Sequence, residues 1–186
     1  MTPQPGDLPE EILQVWFEQT RPRQWFARDS RLDALLRQRY GEICGRALAG
    51  ELQAWGGDAL SALALVLLLD QFPRQIWRDT SRAYAGDGQA LALSQQAVAR
   101  GWLAAEPIQA RRQFLLMPLM HSEDPAVQQR AQPLFRRFCD ARTAECARRH
   151  CEVIARFGRF PHRNAALGRS SSTEELAFLQ RPGSRF

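Results

Sequence analysis

The sequence contains no lysine. All 25 basic side chains are arginine, against 20 acidic ones, for a formal net charge of +5. Codon usage rich in G and C favours Arg, Ala, Gly and Pro together, so this surplus is discounted as a sign of nucleic-acid binding. No run of five or more basic residues and no basic stripe interleaved with aromatics is present, and no nucleic-acid partner is expected. The longest apolar run, Ala62 to Leu69, is far short of the roughly 20 residues a membrane span needs. The opening MTPQPGDLPEE has neither the basic stretch nor the apolar core of a signal peptide, so no membrane association is expected. Also missing are HExxH, paired CxxC, P-loop, GxGxxG and GxSxG patterns, which sets aside the familiar zinc, nucleotide and serine-hydrolase machineries. Four cysteines without paired spacing, Cys44, Cys139, Cys146 and Cys151, read as reduced thiols of a soluble cytoplasmic protein.

What the chain does have is helical periodicity almost throughout, with no convincing alternating strand. At 186 residues and 45% apolar content it can bury one sizeable core. A single all-α domain over 1–186 is expected, with about eight or nine helices and loose ends at 1–7 and 181–186. Asp7 is placed to cap a first helix bearing Ile12, Leu13, Trp16 and Phe17. Gln24 to Asp29 reads as a connector, and Ser30 as the next N-cap. Asp58 caps a helix from Ala59 to about Phe72 that is apolar nearly all round, the mark of a buried centre. Pro73 should bend or end it. Gly101 and Gly158 read as left-handed helix ends. Glu106-Pro107 reads as the start of a helix disturbed at Pro118. Asp124-Pro125 reads as an N-cap followed by a first-turn proline. Ser172-Thr-Glu-Glu175 reads as a capping box.

Three polar stretches stand out. In LDQFPRQIWR, residues 69–78, Asp70 sits at the end of the apolar helix, where the helix dipole opposes its charge. Arg74, one turn on, is a natural partner. In MPLMHSEDP, residues 117–125, His121 and Glu123 share a turn before a helix start, and His121 is a group that titrates near neutrality. In FGRFPHRNAALGRSSSTEE, residues 157–175, Arg159, Arg163 and Arg169, with Arg156 just before, meet no acid between Phe157 and Thr173. Guanidinium forks suit carboxylates and phosphates. His150 lies two turns before Gly158, and His162 lies within the loop. Trp25 is the choice for a pocket wall. Asp70, Glu123 and the three histidines are also a chemically adequate set for a divalent metal. Cys139, Cys146 and His150 share one helix face as an imperfect zinc arrangement. The spacing supports neither metal, and the cysteines read as small buried side chains.

LDQFPRQIWR, PLMHSEDP and FGRFPHRNAALGRSSSTEELAFL, together with the N-terminal VWF and QWF, resemble the domain-of-unknown-function 924 family, mostly bacterial. The resemblance runs from about Glu11 to Leu179. It implies a tetratricopeptide-like α-α superhelix and no established activity. The family's motif maps onto Asp70, Gln71, Arg74, His121, Ser122, Glu123, His150, Gly158, Arg159, His162, Arg163, Asn164 and Arg169. This chain departs from it with Gln75 in place of the usual Asn, and with Leu119-Met120 where the family tends to carry an acid.

One expectation joins these stretches: the turns near 72, 121 and 160 meet at one end of the helices and enclose a small anionic ligand. Arg74, Arg159, Arg163, Arg169, Asn164, Gln71 and His150 would bind it, with Trp25 as a wall. His121 or His162 would act as acid or base, and Asp70 or Glu123 would orient that histidine. The alternatives are an adaptor holding an acidic peptide or C-terminal carboxylate along a concave face, and polar networks that only fix the fold. No cofactor is specified by these residues.

Overall fold

The structure is a computed structural model that describes residues 8–184. The expected cap at Asp7 and the outermost tail residues lie outside the described residues. Among the described residues every regular element is helical. The α-helices, in chain order, are α1 (Leu8–Gln14), α2 (Pro22–Trp25), α3 (Ser30–Leu48), α4 (Ala59–Val66), α5 (Phe72–Ile76), α6 (Asp87–Ala99), α7 (Trp102–Ala105), α8 (Gln109–Met120), α9 (Pro125–Phe138), α10 (Ala141–Phe157) and α11 (Thr173–Leu179), with short π and 3-10 turns between some of them.

The centre is the apolar helix. Asp58 accepts the Leu60 and Ser61 N–H groups at 3.1 and 3.0 Å and starts α4. Leu63, Ala64, Val66, Leu67, Leu68, Leu69 and Phe72 have no exposed surface. α1, α6 and α8 pack on α4, and α3 packs on α5. The helix does not stop at Pro73. A π turn, Leu67–Gln71, joins α4 to α5, so one helical run spans Ala59–Ile76. That run is long and apolar enough to cross a membrane, yet 78% of it is buried inside the protein. It is longer than the apolar run read from the letters because it carries Asp70 and Pro73 within it.

The caps agree with the local chemistry. Asp124 accepts the Ala126 N–H, and Gly101 and Gly158 adopt φ of 72° and 68°. Ser172 and Glu175 form a reciprocal capping box. Two starts differ from expectation. Asp29, not Ser30, caps α3, because its carboxylate reaches the N–H groups of Arg31 and Leu32. α8 starts at Gln109 rather than at Glu106-Pro107, because the Glu106 carboxylate bonds the Ile108 N–H before the helix begins. Pro118 is accommodated inside α8. The C-terminal stretch is ordered further than expected: Ser184 is buried and its hydroxyl donates to the Leu179 carbonyl at 3.1 Å.

Trp16, Phe17, Trp25 and Phe114 form an aromatic cluster over α1 and α8. A smaller cluster of Val153, Ile154 and Phe160, with Phe157 and Phe178 against it, ties the loop after α10 to the protein.

Candidate functional site

Pro73 has no N–H to donate, which frees backbone acceptors one turn earlier. The π turn answers this by widening the helix, and Phe72 N–H donates to the Leu67 carbonyl. π turns of this kind recur at functional sites. Here the turn carries Asp70, which has no exposed surface. Its carboxylate accepts from Gln71 Nε2 and His121, with Arg74 Nη1 at 3.2 Å. Burial works against the charge, but Arg74 and His121 overcome it and hold the Asp70 pKa well below its ordinary value.

His121 ends α8, and its Nδ1 lies 2.7 Å from Asp70 Oδ1. An ionised carboxylate can only accept, so Nδ1 carries the proton and Nε2 is the lone-pair nitrogen. Burial lowers the His121 pKa, Arg74 and Arg163 add to that, and Asp70 opposes it. The net shift is downward, so the ring is neutral near pH 7. Its side chain keeps 12% of its surface exposed. Among the described residues Nε2 has no hydrogen-bond partner. The turn itself is clipped by Gln128, whose Nε2 donates to the carbonyls of Met120 at 2.6 Å and Ser122 at 2.8 Å.

Arg163 reaches this centre from the loop and donates to the His121 carbonyl at 3.0 Å. It also meets Asp87 at 2.9 Å, as does Arg74. Tyr84 lies beside both guanidinium groups, its ring centroid 5.4 Å from Arg74 Cζ and 4.9 Å from Arg163 Cζ. Burial and the neighbouring Arg74 lower the Arg163 pKa, and Asp87 opposes this. Asp87 and Tyr84 were not among the expected site residues. Nothing in the letters AGDG, residues 85–88, marks Asp87 as a site residue.

Glu123, Arg159, Arg169 and Asn164 serve a different purpose. Glu123 accepts the Phe160 N–H at 2.8 Å and both Arg169 amino groups at 2.7 and 3.0 Å. Burial raises its pKa, but these bonds prevail and the net shift is downward. Arg169 Nε donates to Asn164 Oδ1, and Asn164 Nδ2 donates to Ser171 Oγ, each at 3.0 Å. Arg159 forks onto Glu175 at 2.7 and 2.8 Å. The loop arginines therefore do not converge as an open anion clamp. Carboxylates distant in sequence meet them: Glu174 for Arg156, Glu175 for Arg159, Asp87 for Arg163 and Glu123 for Arg169.

The other two histidines are close by. The His150 ring lies 6.3 Å from that of His121, and both His150 and His162 pack against Phe160. Burial is the main force that takes both pKa values down to about 3, with neighbouring His121 and Arg163 adding to it. His150 Nδ1 is 2.8 Å from the Cys146 carbonyl oxygen. Among the described residues no three His, Cys, Asp or Glu side chains are placed to hold a metal ion. Trp25 is not beside His121. Its Nε1 donates to Trp16 O and Thr20 Oγ1, both at 2.9 Å, within the aromatic cluster.

The comparisons agree with the motif reading. A family model described as "Bacterial protein of unknown function (DUF924)" matches residues 12–183. The chain is similar to a solved structure of a protein of unknown function, ATU0120 from Agrobacterium tumefaciens, with a TM-score of 0.88 and 36% identity over 95% of this chain and 99% of that chain. No match is found among curated proteins. The chain therefore belongs to the DUF924 family.

Proposed function

We propose that the centre around His121 binds a small polar molecule and removes a proton from it. One observation carries this reading: Asp70 holds the Nδ1 side of His121, while Nε2 has no partner among the described residues. A neutral, oriented imidazole is a competent general base near pH 7. When the ligand's X–H bond breaks, the proton forms the new Nε2–H bond and the electron pair stays on the ligand. Arg74 and Arg163 stand beside His121 and stabilise that charge as it develops. The bound species is thus anionic after proton transfer, and need not be so on arrival, because Asp70 and Asp87 already balance the two arginines.

In this reading Glu123, Arg159, Asn164 and Arg169 anchor the loop and take no chemical part. An adaptor built on a tetratricopeptide-like superhelix would need these arginines unpaired along its groove. Each holds a carboxylate, so the acid–base reading is preferred. The four cysteines are free thiols, which suits a reducing compartment, and we place the protein in the cytoplasm.

The test is a thermal-shift screen with small carboxylic acids, phosphate esters and polyols on wild type and His121→Gln. Arg163→Ala is a poor probe, because Arg163 also holds Asp87 and the His121 turn. The reading predicts ligands that raise the wild-type melting temperature by several degrees and leave that of His121→Gln unmoved. Equal shifts in both proteins, or none in wild type, would contradict it.

A further inference from the structure

The connector RPRQWFARDSR, residues 21–31, lies away from the His121 centre. It holds four arginines and one acid, a local charge of +3 in a chain whose net charge is +5. The rest of the chain is nearly balanced. Asp29 is occupied, accepting from the N–H groups of Arg31 and Leu32 and from Gln24 Nε2. Arg28 pairs with Asp79, but both side chains are more than 70% exposed, and such a pair contributes little. Among the described residues Arg23 and Arg31 make no ion pair. Arg23, Arg28 and Arg31 rim a cavity of about 370 Å³.

The same connector buries Trp25 and leaves Phe26 60% exposed, more than any other large apolar side chain described. Phe26 is not loose. Its ring lies parallel to that of Phe114 at 6.1 Å and edge-on to that of Trp25 at 6.3 Å. Phe26 does not line that cavity, but it stands in the same short connector between Arg23 and Arg31. One surface segment thus carries both a fixed exposed aromatic and two arginines without ion pairs, the make-up of an interaction hot spot.

We propose that this connector docks an acidic peptide segment: its carboxylates lie on Arg23 and Arg31, and an apolar side chain lies on Phe26. Planar guanidinium forks match carboxylates. A nucleic-acid strand is fitted less well, since it stacks its bases on successive aromatic platforms and here one ring is exposed.

The experiment is fluorescence anisotropy on the full chain with a short labelled peptide of Asp and Glu around one central Phe. Binding should be saturable, weaken with salt, and fall about tenfold in Arg23→Glu/Arg31→Glu. It should fall also in Phe26→Ser, and hold in Arg136→Glu/Arg137→Glu, a charge reversal of exposed residues on α9. Because Phe26 packs on Phe114, circular dichroism accompanies that variant, and the double arginine variant decides the matter alone. No saturable binding, equal loss in the α9 control, or tighter binding of an oligonucleotide or of phosphatidylserine vesicles would overturn the proposal.

Discussion

Asp70 carries a charge with no exposed surface, and three neighbours make that tolerable: Arg74, His121 and Gln71. The histidines around it face the reverse problem and stay neutral. This fixes the sign of the pH dependence. His150 and His162 have folded pKa values near 3 against an ordinary value of 6.5. The unfolded chain therefore takes up protons first, and stability rises with pH wherever it does. Their contribution is complete above about pH 6.5 and is lost as pH falls toward about 3. Asp70, depressed below 3.8, contributes above that value and is lost beneath it. Urea midpoints should thus be flat between about pH 6.5 and 8, below the range in which the buried thiols of Cys44 and Cys139 begin to matter, and fall steadily in acid. A midpoint that rises between pH 6.5 and 3 would contradict this. At this scale Asp70, Arg74, His121 and Arg163 were legible, because charged residues beside an apolar helix and in turns require partners. Asp87 was not, since it lies 76 residues from Arg163 and nothing local marks it.

At the scale of the element, caps were legible and the π turn was not. Asp58, Asp124, Gly101, Gly158 and the Ser172–Glu175 box follow from short-range chemistry. Pro73 marks a break but not how the helix absorbs it, and the π turn at Leu67–Gln71 that does so has Gly86 packed against it. A Cβ built on Gly86 would lie 2.3 Å from the Leu69 carbonyl oxygen. Only a glycine lets the start of α6 approach that carbonyl, and this approach places Asp87 between Arg74 and Arg163. Gly86→Ala should push α6 outward and destabilise the protein by about 2 kcal/mol or more. Gly88 lies two residues on, within α6, where a Cβ meets nothing within 4 Å. Gly88→Ala should be neutral or stabilise by about 0.5–1 kcal/mol. Denaturant titration of the two variants checks this, and equal effects would remove the role given to the close approach.

For the whole molecule, three segments far apart in the chain do become neighbours. Asp70 meets His121 across 51 residues, Arg163 meets His121 across 42, and Glu123 meets the Phe160 N–H across 37. The helical class was legible in the periodicity, and the meeting of these turns was expected from their polarity. Which pairs form was not legible. The loop arginines lacked acids only along the chain, and folding supplies Glu123, Asp87 and Glu175 from other elements. The contacts thus leave one imidazole held at Nδ1 by Asp70, with no partner for Nε2 among the described residues. ¹⁵N NMR of the His121 ring at neutral pH tests this most directly. The arrangement predicts a protonated Nδ1 and an unprotonated Nε2, with the Nδ1 proton shifted strongly downfield in wild type and not in Asp70→Asn. A doubly protonated ring, or a proton resting on Nε2, would contradict it.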